Sequence, residues 1–269
     1  MKKILLHLIL CLVLLGMLFP FLWMILISVR ESTSDFTSIF TLFEGRFSLK
    51  NYRDVLTSGP FGIYLFNSFF ISIISTIGNV FFCSTVAYAL ARRNFKFKYL
   101  LEISVIGVLM IPQQVVMIPL YRMMASFNLI NTYWALIIPI LVTPFGIFLL
   151  KQYIENIPVD MEDAAKIDGA GDWRILFKII LPITKPALIV LGVFQFLNIW
   201  NSFLYPFLFT NDESMRTLTV GLTFYLGNQS VDWGHLMAGS SISVIPVIIL
   251  FIIFQKQIIQ GMTDGAVKG

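Results

Sequence analysis

Residues 63–91 read IYLFNSFFISIISTIGNVFFCSTVAYALA, and the pair Arg92-Arg93 closes the run. The stretch contains no Asp, Glu, Lys or Arg, and it exceeds the ~20 residues an α-helix needs to cross a hydrocarbon core. Five other runs are similarly apolar: roughly Ile4–Val29, Tyr99–Tyr121, Tyr133–Leu150, Pro186–Thr210 and Met237–Phe254. The chain has 269 residues, of which 57% are hydrophobic and 13% charged. Soluble domains carry about 25% charged residues, and one water-soluble core of this size cannot hide so much apolar surface. The expected fold is an all-α membrane protein with six transmembrane helices.

Basic residues set the orientation, because they collect on the cytoplasmic side. With the N-terminus inside, only Arg30, Arg46, Lys50, Arg53, Arg122 and Arg216 fall outside, out of 19 Lys and Arg residues. Four of those six share one long loop with Glu31, Asp35, Glu44 and Asp54. Both termini are therefore expected in the cytoplasm, with outer loops at roughly Arg30–Gly62, Arg122–Thr132 and Asn211–Leu236. Lys2 and Lys3 precede the first run as in a signal peptide. That run is longer than a signal core of ~7–15 residues, so it reads as an uncleaved span.

Several function classes drop out. The net charge of +4 is spread between apolar runs, which is no nucleic-acid footprint. Cys11 and Cys83 lie far apart inside apolar runs and suggest neither a disulfide framework nor a metal site. No Gly-rich phosphate loop ending in Lys-Ser/Thr occurs, and no catalytic constellation is present. No cofactor is expected. The spans hold no charge at depth; Glu102 lies near one end of its run. Proton relays use such charges, which argues against a stand-alone proton-coupled transporter and for a neutral path.

The spans instead carry uncharged polar groups. Asn67, Ser68, Ser72, Ser75, Thr76 and Asn79 lie in the second run, and Gln113 and Gln114 in the third. Gln195, Asn198, Asn201 and Ser202 lie in the fifth, beside Phe194, Trp200 and Tyr205. Amides bond hydroxyls and aromatic faces cover sugar rings, so Asn67, Gln113, Gln195, Asn198, Trp200 and Asn201 are candidates for a translocation path. The same residue types also serve as interhelical glue, and both readings stay open here. Pro112, Pro119, Pro139 and Pro144 interrupt the third and fourth runs, as tolerated kinks or as breaks at a site.

Between the fourth and fifth runs, residues 158–186 read PVDMEDAAKIDGAGDWRILFKIILPITKP. Pro158 suits a first helical turn, and Asp160, Glu162 and Asp163 crowd its positive end. Gly169 is a natural stop. Asp172 caps a second helix starting at Trp173, which Pro182 ends. On the first helix Met161, Ala164, Ala165 and Asp168 share a side, with acids flanking it. An acidic helix at an anionic inner leaflet is better placed to meet a protein than lipid. On the second, Trp173, Leu176, Phe177 and Ile180 form an apolar stripe.

Asp163-Ala164-Ala165, then Gly169, then Ile179, Leu181 and Pro182 resemble the EAA loop, the signature of permeases of binding-protein-dependent ABC importers. The spacing is Glu-Ala-Ala, three residues, Gly, nine residues, Ile, one residue, Leu-Pro. Asp163 stands where the signature has Glu, with Glu162 beside it as a possible substitute. Ile111-Pro112-Gln113, Trp200-Asn201 and the terminal Gly265–Gly269 look like the carbohydrate branch, and within it the smaller permease of maltose-type transporters. The resemblance covers nearly the whole chain.

It implies a bacterial or archaeal inner-membrane subunit, itself no enzyme. Its partners would be a second permease, most simply as a heterodimer, two ATPase subunits and an extracytoplasmic solute-binding protein that delivers an uncharged sugar or oligosaccharide, with glycerol phosphate or another small solute as the alternative cargo. Glu162, Asp163, Ala164, Ala165, Asp168 and Gly169 would form the ATPase-coupling helix. The outer loop with Phe224, Tyr225 and Trp233 would meet the binding protein, and the tail would reach toward the ATPase. His7 and His235 have no evident metal partner. The implied organisation is a first helix with a long outer loop (1–62), a permease core (63–259, with the EAA loop at 158–186) and a tail (260–269). A membrane-embedded enzyme would need acid–base or metal groups at depth, and the spans offer none.

Overall fold

The computed structural model describes residues 2–31, 46–57, 59–227 and 231–266, with side chains described between residues 3 and 258. Asp35, Glu44 and residues 267–269 of the tail motif lie outside them. The described chain is almost entirely helical and divides into two compact units, residues 1–66 with 216–248 and residues 67–215 with 249–269.

In the first unit, α1 (Lys2–Ser28) is apolar around its whole circumference and exposed along most of its length. A helix of that kind is at rest in hydrocarbon. Its last carbonyls are met by α2 (Lys50–Thr57). The buried Asn51 amide donates to the Ser28 carbonyl at 2.9 Å, one that the helix end would leave open, and to the Arg30 carbonyl just beyond it at 2.7 Å. The long α3 (Phe61–Arg92) starts in this unit and continues into the second.

The second unit carries the candidate site. α4 (Lys98–Leu109) and α5 (Gln113–Ser126) meet at 109°. The sequence leaves kink or break open for the prolines, and the structure sorts them. Pro112 is a break: it is extended (ψ 134°) just ahead of α5, since it has no N–H to continue α4 and disfavours helical geometry before it. Pro119 is absorbed inside α5. α6 (Tyr133–Ile137) runs into a 3₁₀ turn at Ile138–Ile140 that contains Pro139, and Pro144 opens α7 (Pro144–Glu155). Thr143 caps α7 by accepting from the Gly146 N–H at 3.3 Å.

The loop helices follow: α8 (Asp160–Ile167), then α9 (Asp172–Ile175), a π-helical stretch at Leu176–Ile180 and α10 (Leu181–Ile183). The second loop helix was expected to end at Pro182, but it continues to Ile183. The wide π turn already shifts the hydrogen-bond ladder by one residue, and Pro182, lacking an N–H, sits in the first turn after it. α11 (Lys185–Trp200) leaves this helix at 81°. After it come α12 (Leu204–Phe209), α13 (Leu218–Leu222) and α14 (Trp233–Ala266), the last two beginning in the first unit. The backbone of residues 260–266 extends α14.

By length and composition α1, α3, residues 133–155 and α14 can each cross a membrane, and the two bent pairs raise the number to as many as six. One core of the second unit joins Cys83, Ala87 and Leu90 of α3 to Ile147, Leu150 and Ile154 of α7 and to Ile175, Leu176 and Ile180 of the loop. Gly146 permits this approach, since a Cβ there would stand 2.8 Å from Cys83 Sγ, as small residues do in membrane bundles. A second core gathers Ile71, Met124, Leu136, Ile199 and Phe209.

In the first unit, a Cβ on Gly221 would lie 2.0 Å from Cδ2 of the buried Tyr64 ring. Gly221→Ala is expected to destabilise by about 1–3 kcal/mol, the usual cost of overpacking. Thermal unfolding in detergent reads this out, with Tyr64→Leu in the same chain restoring part of the loss. A wild-type melting temperature for Gly221→Ala would mean that the ring moves freely.

Candidate functional site

α8 is built as its sequence requires. Its first turn holds Asp160, Glu162 and Asp163, acids at the positive end of a helix. It closes with two bonds, from the Gly169 N–H to the Lys166 carbonyl (3.0 Å) and from the Ala170 N–H to the Ala165 carbonyl (2.9 Å). Gly169 has φ +77°, the left-handed geometry such a closure needs and glycine adopts without strain. Met161, Asp163, Ala164, Ile167 and Asp168 are exposed, Ile167 at 87%. Lys166 pairs with Asp163 at 2.8 Å.

Two expectations about this helix change. Ala165 is half-buried and packs against the core rather than standing fully on the outer side with Met161, Ala164 and Asp168. Glu162 points inward and is 1% exposed, so it is not an outward substitute for Asp163. Arg92 Nε lies 2.6 Å from Glu162 Oε1, and the Tyr88 hydroxyl donates to Glu162 Oε2 at 3.3 Å. Arg92 Nη2 also donates to the carbonyls of Ile154 (2.7 Å), in the last turn of α7, and of Ile157 (2.5 Å), just past its end. Arg93 donates to the Tyr88 hydroxyl at 2.7 Å and to Asp172 Oδ1 at 2.5 Å. Asp172 is thus the first residue of its helix, with Gly171 at the capping position, and its carboxylate serves Arg93.

On the following helix Leu176 and Ile180 are buried with Ile175, as their spacing suggests. Trp173 and Phe177 of the expected stripe are exposed instead. Their rings stack at 5.9 Å, and Phe177 stacks on Phe81 of α3 at 6.2 Å. Glu102 is paired as well, with Lys151 Nζ at 3.5 Å, and the same amine binds Glu155 at 2.8 Å.

The six candidates for a path separate into two groups. Gln113 and Asn198 line one cleft of about 320 Å³ with Gln114, Met117, Ser202 and Tyr205, and the Tyr205 hydroxyl reaches the Gln113 carbonyl at 3.4 Å. Asn201 is exposed, and its amide donates to the Leu197 carbonyl. The other three are buried. Asn67 donates to the Ser214 carbonyl (2.8 Å) and accepts from the Tyr133 hydroxyl (2.7 Å). Trp200 stacks on Phe196 and meets Phe69 edge-on at 4.8 Å, and Gln195 is 6% exposed. Asn67 and Trp200 thus bridge separate elements of this unit.

In the loops after α5 and α12, Asn131 (φ 62°) receives the Asn211 and Asp212 N–H groups at 2.9 and 3.0 Å and donates to Asp212 Oδ2. In the first unit, Tyr225 stacks on His235, and His235 Nδ1 lies 2.5 Å from Asp232. Burial first, then the Asp232 carboxylate, raises the Tyr225 phenol above its ordinary pKa. Phe224 lies under Arg216 at 4.3 Å. No cluster of three His, Cys, Asp or Glu fit for a metal occurs among the described residues.

Residues 84–264 match the family model described as binding-protein-dependent transport system inner membrane component. The chain belongs to this family. It is a multi-pass inner-membrane permease of an ABC importer, a non-catalytic subunit, and its relatives include sugar permeases. It is 38% identical over 254 residues to the arabinooligosaccharides transport system permease protein AraQ of Halalkalibacterium halodurans, covering 93% of this chain and 91% of that one. It is 38% identical to the trehalose/maltose transport system permease protein MalG of Thermococcus litoralis, over 94% and 92% of the two chains. The fold matches that in a crystal structure of a bacterial ABC transporter involved in the import of the acidic polysaccharide alginate, with a TM-score of 0.83, 23% identity and 95% of both chains covered.

Sequence reasoning missed the Arg92, Arg93, Tyr88 and Asp172 group. Its one signal was two arginines directly after a charge-free run.

Proposed function

We propose that this chain joins a second permease to form the translocation path for an uncharged sugar or oligosaccharide, and that α8 couples the path to two ATPase subunits. The observation that carries this reading is the outer face of α8, where Asp163, Ala164, Ile167 and Asp168 stand exposed on a helix fixed from behind. An exposed isoleucine between acids suits a cleft with an apolar floor and basic rims. The extracytoplasmic binding protein delivers the solute. ATP closes the ATPase dimer, the coupling helices of the two permeases move together, and the cavity opens outward as rigid bodies. Hydrolysis resets it.

A neutral solute is supported by the cleft at Gln113 and Asn198, whose lining holds amides, hydroxyls and aromatic rings but no Lys or Arg. A phosphorylated or acidic solute would call for guanidinium or ammonium groups, which a partner permease would have to supply.

The test uses Asp163→Lys and Ala164→Glu, both on the outward face, in the chain co-expressed with its partner subunits. Both variants insert and assemble with the second permease, but ATPase co-purification falls by at least tenfold, the scale of an interface hot spot. Normal ATPase recovery in both would remove α8 as the docking element.

A further inference from the structure

The inward face of α8 supports a further step, which rests on the reading of α8 as the docking helix. Glu162 and Asp163 are neighbours with opposite fates. Asp163 is exposed, while Glu162 is among the most deeply buried polar residues described. The Arg92 guanidinium facing Glu162 joins three elements: α3, to which it belongs, the chain at the end of α7 through Ile154 and Ile157, and α8 through Glu162. Tyr88, one turn back on α3, holds the second carboxylate oxygen, and Arg93 ties the start of α9 to the same turn through Asp172. Both sides of the α8–α9 corner are thus bonded to the last turns of α3.

We propose that Glu162 and Arg92 are positioning residues, forming a tether that delivers displacement of α8 to α3, while Asp163 faces the ATPase. α8 has only eight residues, and Met161 and Ile167 point away from the core. Apolar packing is non-directional and lets so short a helix slide. A rigid planar guanidinium held through Nη2 by two carbonyls keeps its Nε at a fixed place beside the Glu162 carboxylate. Buried ion pairs seldom stabilise more than apolar residues of the same size, so a geometric role accounts for this one better than a stabilising role. Movement of α3 has a route to the cleft. α11, which carries Asn198, packs along α3 through Gly192 against Thr76 and Val80 and through Trp200 against Phe69.

The experiment places a cysteine in the cleft, Ser202→Cys, in a chain carrying Cys11→Ala and Cys83→Ala, within the reconstituted assembly. A membrane-impermeant maleimide is the probe, and its labelling rate is read with and without AMP-PNP. In this parent, nucleotide changes the rate. In Glu162→Gln the ATPase still co-purifies, but the nucleotide-dependent change shrinks by roughly tenfold, within the usual range of coupling between sites. Arg92→Lys keeps the charge but loses the fork, and it falls between the two. The tether is overturned if Glu162→Gln responds like the parent. It is equally overturned if Glu162→Gln loses the ATPase as Asp163→Lys does, since Glu162 would then belong to docking. Retention of the ATPase by both Asp163→Lys and Ala164→Glu is a different result, which removes the docking reading and the tether with it.

Discussion

Arg92→Ala is expected to lower the stability of the chain by about 3–5 kcal/mol, the cost of breaking a buried ion pair from one side. The variant leaves the Glu162 carboxylate buried opposite no cation, with only the Tyr88 hydroxyl to solvate it. It also strips the carbonyls of Ile154 and Ile157 of their guanidinium donor. A charge left in this position cannot turn to water without unseating α8. The double variant Arg92→Met with Glu162→Leu removes both charges and keeps most of the volume, so it should recover most of the loss. Thermal unfolding in detergent, followed by tryptophan fluorescence, compares the three chains. If the double variant melts as low as Arg92→Ala, the two carbonyls outweigh the carboxylate, and the ion pair is the minor member of the group.

The sequence made the spans legible because hydrocarbon imposes one requirement on every residue of a run, the absence of charge. The ends of α8 were equally plain, since Asp160 to Asp163 and Gly169 act through local backbone chemistry within one turn. The inward turn of Glu162 could not be read in the same way. In a helix of two turns, acids sit on several sides, and the choice between core and surface depends on Arg92, 70 residues earlier in the chain. Long-range partners also decided the amides. Asn67 and Gln113 look alike as polar residues in apolar runs, yet one bonds Ser214 and Tyr133 while the other faces a cleft. The break at Pro112 was foreshadowed by the proline itself. The 81° turn at Thr184 was not, because Pro182 and Pro186 both suit the first turn of a helix and neither marks which way the next helix leaves.

Asn79→Leu is expected to destabilise the chain by about 1–3 kcal/mol for the buried carbonyl it leaves unpaired, with the membrane setting pushing toward the upper value. The carbonyl of Ile140 ends the 3₁₀ turn, and the chain is extended at Thr143 before Pro144 opens α7, so no helical N–H returns to it. Asn79, fully buried on α3, supplies the missing donor at 2.7 Å and also reaches Thr143 Oγ1 at 3.1 Å. Water would repair such a gap at a surface, but hydrocarbon offers no donor. Asn79→Asp, which keeps the shape but loses the donor, should fare no better than Asn79→Leu. Asn79→Gln keeps the amide donor on a longer arm and should recover part of the lost melting temperature. If Asn79→Asp melts as the parent does, the Ile140 carbonyl has another partner once the amide is gone, and Asn79 acts through Thr143 and the cap of α7 instead.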